Sequence, residues 1–277
     1  FIAGSTAEGG GAVAFPIMTL FFKVTPQISR DFSFLVQSFG MTFASFFIFI
    51  NRIKVLNMTI IISCFGGTIG LIVGFYFCEG IFPSSYLKMF FTCFWLTFAF
   101  SIFKHRKRTF QQNRSSLLVS KNKSILIFFS FIGGIVSSQL GSGIDIIIFS
   151  LLTISFGIDI KIAIPTSVVI MAFTSFFASI FKLSLLSIEP LAIDYLICSI
   201  PIVIVGAPLG SWIISESSRL FAISFLSISI VAQFFASLIL ITQTRNLMVF
   251  NVCSIIFGVL CFVCLNTLRR EKSNEQV

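Results

Sequence analysis

The sequence predicts an all-α polytopic membrane protein made of two internal repeats of about four segments each, the first segment of each repeat broken or re-entrant. Three observations carry this. The 277-residue chain is 56% hydrophobic and only 10% charged, with a mean hydropathy of +1.04; a soluble domain carries about 25% charged residues. Apolar runs of the roughly 20 residues needed to span a bilayer follow one another along nearly the whole chain. One glycine-interrupted pattern is written twice, as FIAGSTAEGGGAVAFPIMTLFF in 1–22 and as GGIVSSQLGSGIDIIIFSLLTISF in 133–156. Gly9 then matches Gly141, Gly11 matches Gly143 and Leu20 matches Leu152, a constant shift of 132 positions.

The elements follow in order. Phe1–Phe22 is the first span, interrupted at Gly9-Gly10-Gly11 beside Glu8. Phe32–Ile50, Met58–Phe77 and Tyr86–Phe103 complete a first repeat, residues 1–103. In the second copy the apolar residues Ile125–Ile132 precede the position matching Phe1, so the first span is expected to have lost its beginning. There is no initiator Met and no charged leader, so no signal peptide is expected. Lys104–Lys123 carries seven Lys or Arg and no acid. Residues 104–124 are therefore read as a basic cytoplasmic linker, with His105 as a solvated loop residue.

Ile125–Phe156 is too long for one span. Its 32 residues would run about 48 Å as a helix, against a hydrocarbon core of roughly 30 Å. A break among Gly133, Gly134, Gly141 and Gly143 resolves this. Irregular backbone at membrane depth is tolerated only where it is buried in protein or lines a polar cavity. Ala163–Phe181, Leu191–Ile214 and Leu220–Ile241 complete the second repeat, 125–241. An extra apolar segment, Leu247–Leu265, and a charged tail occupy 242–277.

Charge placement orients the chain. If both broken segments turn back as hairpins, 14 of the 19 Lys and Arg lie on the cytoplasmic side; straight crossings place 11 there. The hairpin arrangement also makes the repeats inverted, a common transporter plan. The net charge of +9 sits in short loops between spans, which fits the positive-inside rule rather than nucleic-acid binding. Cys261 and Cys264 are read as small apolar residues of a membrane helix rather than a redox or metal pair. No motif asks for a cofactor or a metal. A Walker-type loop, a His-x-x-x-His pair, a Gly-x-Ser-x-Gly elbow and an Arg ladder are all absent from the sequence, so an ATP-driven pump, a metalloprotease and a voltage sensor have no support.

The candidate site lies at the two breaks. A half-helix starting at Gly9-Gly10-Gly11 or at Gly141-Ser142-Gly143 would turn free N–H groups and a positive dipole end inward. Such ends form an anion site without an arginine. The competing reading is that these glycines let helices pack closely. Glu8 and Asp145 are costly at membrane depth and mark functional positions; Glu8 is a candidate for proton coupling, as is Asp145, which could instead cap backbone N–H groups. On the helices that follow, Ser33, Gln37, Thr166 and Ser167 can donate hydrogen bonds to a substrate. Arg30 and Lys161 sit at loop edges, to attract an anion or to snorkel.

Gly4-Ser-Thr-Ala-Glu8-Gly-Gly-Gly11, Phe15-Pro16-Ile-Met-Thr-Leu20, Arg30-Asp-Phe-Ser33 and Gln37-Ser-Phe-Gly40-Met41 together resemble the TauE/SafE sulfite exporter family. Gly141-Ser-Gly143 and Ala163-Ile-Pro-Thr-Ser167 are similar to its second repeat. The chain departs from that pattern by its short start, by Ser142 in place of a glycine and by the ninth segment. The resemblance implies a secondary transporter of small inorganic or organic anions such as sulfite or sulfoacetate, embedded in a lipid bilayer and not an enzyme. A passive anion channel and a non-transporting membrane scaffold are the alternatives.

Overall fold

The computed structural model describes residues 1–6, 8, 18, 22–78, 83–104 and 122–274. Among them every regular element is helical: α1 (Ile2–Ser5), α2 (Pro26–Ile50), α3 (Asn57–Phe77), α4 (Ser84–Lys104), α5 (Lys123–Leu140), α6 (Ile144–Ser150), α7 (Ile160–Leu185), α8 (Pro190–Glu216), α9 (Arg219–Leu240) and α10 (Arg245–Asn274). A π-helical turn, Leu151–Ser155, continues α6. Eight of these helices are long and apolar enough to cross a membrane. Large apolar side chains such as Phe46, Ile61, Phe65 and Ile239 point outward, as a lipid-facing surface requires.

Local chemistry sets the helix starts. Proline opens α2 and α8, where its missing N–H would have had no partner. Asp159 accepts the Lys161 N–H at 2.9 Å to cap α7, and Ser218 accepts the Phe221 N–H at 3.2 Å to cap α9, each satisfying a donor the helix itself cannot.

α2 and α7 run past their apolar stretches into buried charges. α2 begins at Pro26 rather than Phe32, and α7 reaches Leu185 rather than Phe181. Arg30, Asp31 and Lys182 are therefore inside helices, and all three are buried. Hydropathy alone ends a span at a charge, but a charge that meets its counter-charge can stay within the bundle.

α2 and α7 are the most buried spans, and α8 and α9 the least. α2 packs along α7 and α8, α3 packs along α5, and α1 packs on α8. The α3–α5 contact is close enough to exclude side chains: a Cβ on Gly70 would stand 2.1 Å from the Phe131 carbonyl oxygen, and one on Gly134 2.2 Å from that of Gly67. This is the small-residue packing that lets membrane helices approach.

Candidate functional site

The long fifth segment breaks where the glycines fall. Gly141 ends α5 with φ +82°, a left-handed conformation that costs L-residues a Cβ clash and glycine nothing. Its N–H donates to the Ser137 carbonyl at 2.8 Å. The chain then turns back. Gly143 lies against Val136 and Ser137, and Gly133 lies against Ile144, so α6 returns beside α5 instead of continuing its line. α5 and α6 thus form a helical hairpin.

Two donors at the start of α6 are already used. Gly143 N–H donates to Asp145 Oδ1 at 2.7 Å, and Ile144 N–H donates to Ser137 Oγ at 2.9 Å. Asp145, fully buried, thus caps the turn it follows. Ser167 of α7 donates to the Asp145 carbonyl at 3.1 Å and fixes the half-helix from behind.

A small cavity lies at this turn, with about 190 Å³ of empty space and room for about one water. Gln37 of α2, Gly141, Ser142, Asp145, and Thr174 and Ser175 of α7 line it. Gln37 donates its amide to the Gly141 carbonyl at 3.0 Å and accepts a long contact, 3.5 Å, from the Ser175 hydroxyl. Ser33, one turn before Gln37, is buried against Gly141, and its hydroxyl has no partner among the described residues.

The structure thus brings Gln37, Gly141, Ser142 and Asp145 to one cavity, with Gly143 in the same turn and Ser33 beside it. Thr166 is not brought there. Its hydroxyl accepts the Leu56 N–H at 3.1 Å and donates to the Ile162 carbonyl at 2.7 Å, so it ties α7 to the approach into α3. Gly9, Gly10 and Gly11 lie outside the described residues, as does the linker stretch 105–121 that includes His105. Glu8 is buried and accepts the Trp95 indole N–H at 3.0 Å. Trp95 stacks on Phe98 at 4.5 Å and meets Phe149 of α6 edge-on at 6.1 Å. Thr174, Ser175, Ser137 and Trp95 carried no sequence signal beyond a polar or aromatic residue in an apolar run.

A bundle of membrane-length helices closed around a broken helical segment is the build of a multi-pass membrane protein. A family model described as Sulfite exporter TauE/SafE matches residues 1–236, and the chain belongs to that family. The family comprises transporters rather than enzymes. The match ends before α10. No curated protein and no solved structure matches the chain.

Proposed function

We propose that the protein is a secondary transporter that moves a small oxyanion, sulfite or an organosulfonate such as sulfoacetate, by alternating access. The cavity at the Gly141–Ser142 turn supports this reading most directly. Its walls come from α2, from α3, from the α5–α6 hairpin and from α7, so a relative shift of these elements changes both its size and its exposure. On this reading the oxyanion is held at the turn by Ser142 and Gln37, which line the cavity, while Ser33 offers a further hydroxyl; Gly141 and Gly143 let it approach the backbone closely, and Ser167 acts through the backbone of Asp145. The first glycine cluster, Gly9–Gly11, supplies the matching half of the site, and Glu8 carries the coupled proton.

The repeat division at 1–103 and 125–241 belongs to this reading. It draws support from the crosswise packing, in which α3 lies on the first segment of the second half and α8 on the first segment of the first half. Inverted repeats exchanging such contacts are a common transporter plan.

Proteoliposome uptake of labelled sulfite, sulfate, sulfoacetate and taurine, with and without a pH gradient, tests the proposal. Uphill accumulation of sulfite or sulfoacetate driven by the gradient is the expected result. Downhill equilibration alone would indicate a channel, and no flux of any of the four a scaffold.

A further inference from the structure

Polar residues continue from the cavity toward the end of the bundle where α2 begins and α7 ends. On α2, Arg30, Ser33 and Gln37 follow one another at helical spacing and share a face. On α7, Ser175, Ser179 and Lys182 do the same. The two helices are antiparallel here, since Gln37 meets Ser175 and Asp31 meets Lys182. All of these residues are buried. The hydroxyls of Ser33 and Ser179 have no partner among the described residues. Unpartnered hydroxyls buried along one line between two helices are expensive unless something polar uses them.

At the far end of this line, Asp31 sits between two cations. Lys182 forms an ion pair with its Oδ1, and Arg30 Nε stands 3.4 Å from the same oxygen. The pair is about 10 Å along the helix from Gln37. It also joins α2 to α7, the two elements whose separation would open a path along this line.

We propose that Lys182 and Arg30 form a second anion station on the transport path, and that Asp31 occupies it as a resident carboxylate until a small divalent oxyanion displaces it. The inference rests on the transport reading above. A buried cation that loses a counter-charge is strongly destabilised, so a ligand that replaces the carboxylate favours opening of the pair. Another oxyanion does so, because lysine and arginine hold carboxylate and sulfur oxyanions through the same charge-assisted hydrogen bonds. Water and cations do not. The station therefore acts as a selective gate between α2 and α7.

The test is uptake of labelled sulfite and of labelled sulfate by the full chain in proteoliposomes. Lys182→Gln, and the double variant Asp31→Asn/Lys182→Gln, which removes both charges together and spares the fold an orphaned one, are each expected to raise the half-saturation concentration about tenfold or more. Asp31→Asn is expected to lower it, since the resident competitor is gone, and to slow turnover. Ser179→Leu, which alters no charge, is expected to block the path and abolish flux. A double variant that elutes as folded protein and transports with the wild-type half-saturation would show the pair to be a structural brace and overturn the proposal. So would full flux through Ser179→Leu, which decides the matter if the double variant does not fold. If the wild-type protein carries neither anion, the transport reading fails and this inference falls with it. Wild-type flux with unaffected variants defeats the gate alone.

Discussion

Trp95 donates its indole N–H to Oε1 of Glu8 at 3.0 Å, although the two residues lie 87 positions apart in the chain. The bond ties α4 to the carboxyl that precedes the first glycine cluster. The same indole contacts Phe98 and, in T-shaped geometry, Phe149 in the returning half of the α5–α6 hairpin. One aromatic wall therefore touches the Glu8 carboxyl and α6 together. Glu8 Oε2 is buried with no partner among the described residues, and it is the oxygen that the proposed proton coupling would use while Oε1 stays anchored.

Glu8→Gln tests that division of labour. The glutamine carbonyl still accepts the Trp95 N–H, so the fold is expected to survive with a stability change under about 1 kcal/mol. The exchangeable proton is gone. Sulfite uptake is therefore expected to lose its dependence on the pH gradient while downhill exchange of labelled sulfite continues. Gradient-driven accumulation at the wild-type level in this variant would remove Glu8 from the coupling.

Gln37 and Thr166 should separate by substitution, although the sequence offered both as substrate ligands. Gln37→Leu leaves the Gly141 carbonyl and the Ser175 hydroxyl buried without their amide partner, a cost of about 1–3 kcal/mol, and it removes a donor from the cavity. Uptake is expected to fall at least about tenfold. Thr166→Val strips the acceptor from the Leu56 N–H and is expected to cost about 1 kcal/mol of stability with the half-saturation concentration unchanged. Thermal melting in detergent beside uptake kinetics distinguishes the two. A raised half-saturation in Thr166→Val would return that residue to the site.

The glycines of the turn also rank. Gly141→Ala places a side chain at φ +82° and a Cβ 2.9 Å from that of Ser33, at a cost of about 1–2 kcal/mol from the backbone alone. Gly143→Ala brings its Cβ to 2.9 Å from the end of the Val136 side chain, which can rotate away. The melting temperature and the uptake rate should both fall further for Gly141→Ala. Equal losses in the two variants would mean that the turn relaxes around either side chain.

The break was legible because membrane thickness is a ruler. A run from Ile125 to Phe156 cannot stay one helix, and glycines mark where it yields. Asp145 as a cap was also legible, since a carboxylate just inside a helix start has nearby N–H groups to accept from. Lys182 and Arg30 were not read as core residues. A hydropathy window stops at any charge, and only the antiparallel register of α2 against α7 shows that Asp31 and Lys182 meet. Trp95 was invisible for a similar reason: an aromatic residue in an apolar run gives no sign of the carboxyl it will find. Thr166 and Ser167 looked equivalent as neighbours, yet adjacent helical positions point about 100° apart. One reaches the backbone of α6 and the other the approach to α3.

The α3–α5 contact supplies the last prediction, which separates glycines that pack from glycines that turn. Gly70→Ala would press a Cβ to 2.1 Å from the Phe131 carbonyl oxygen. Both partners are backbone, so the helices themselves must separate. α5 carries the hairpin, and its displacement would also move Gly141 away from Gln37. The expected result is a loss of about 1–3 kcal/mol or more in stability together with a fall in uptake, although Gly70 does not line the cavity. Gly40→Ala is the control: its Cβ would meet Val203 and Ala207 at 3.4 Å and beyond, ordinary contact distances, and on a helix alanine is the better residue. Gly40→Ala should melt at or above the wild-type temperature with normal uptake. If Gly70→Ala did the same, the close approach of α3 to α5 would not be what holds the hairpin in place.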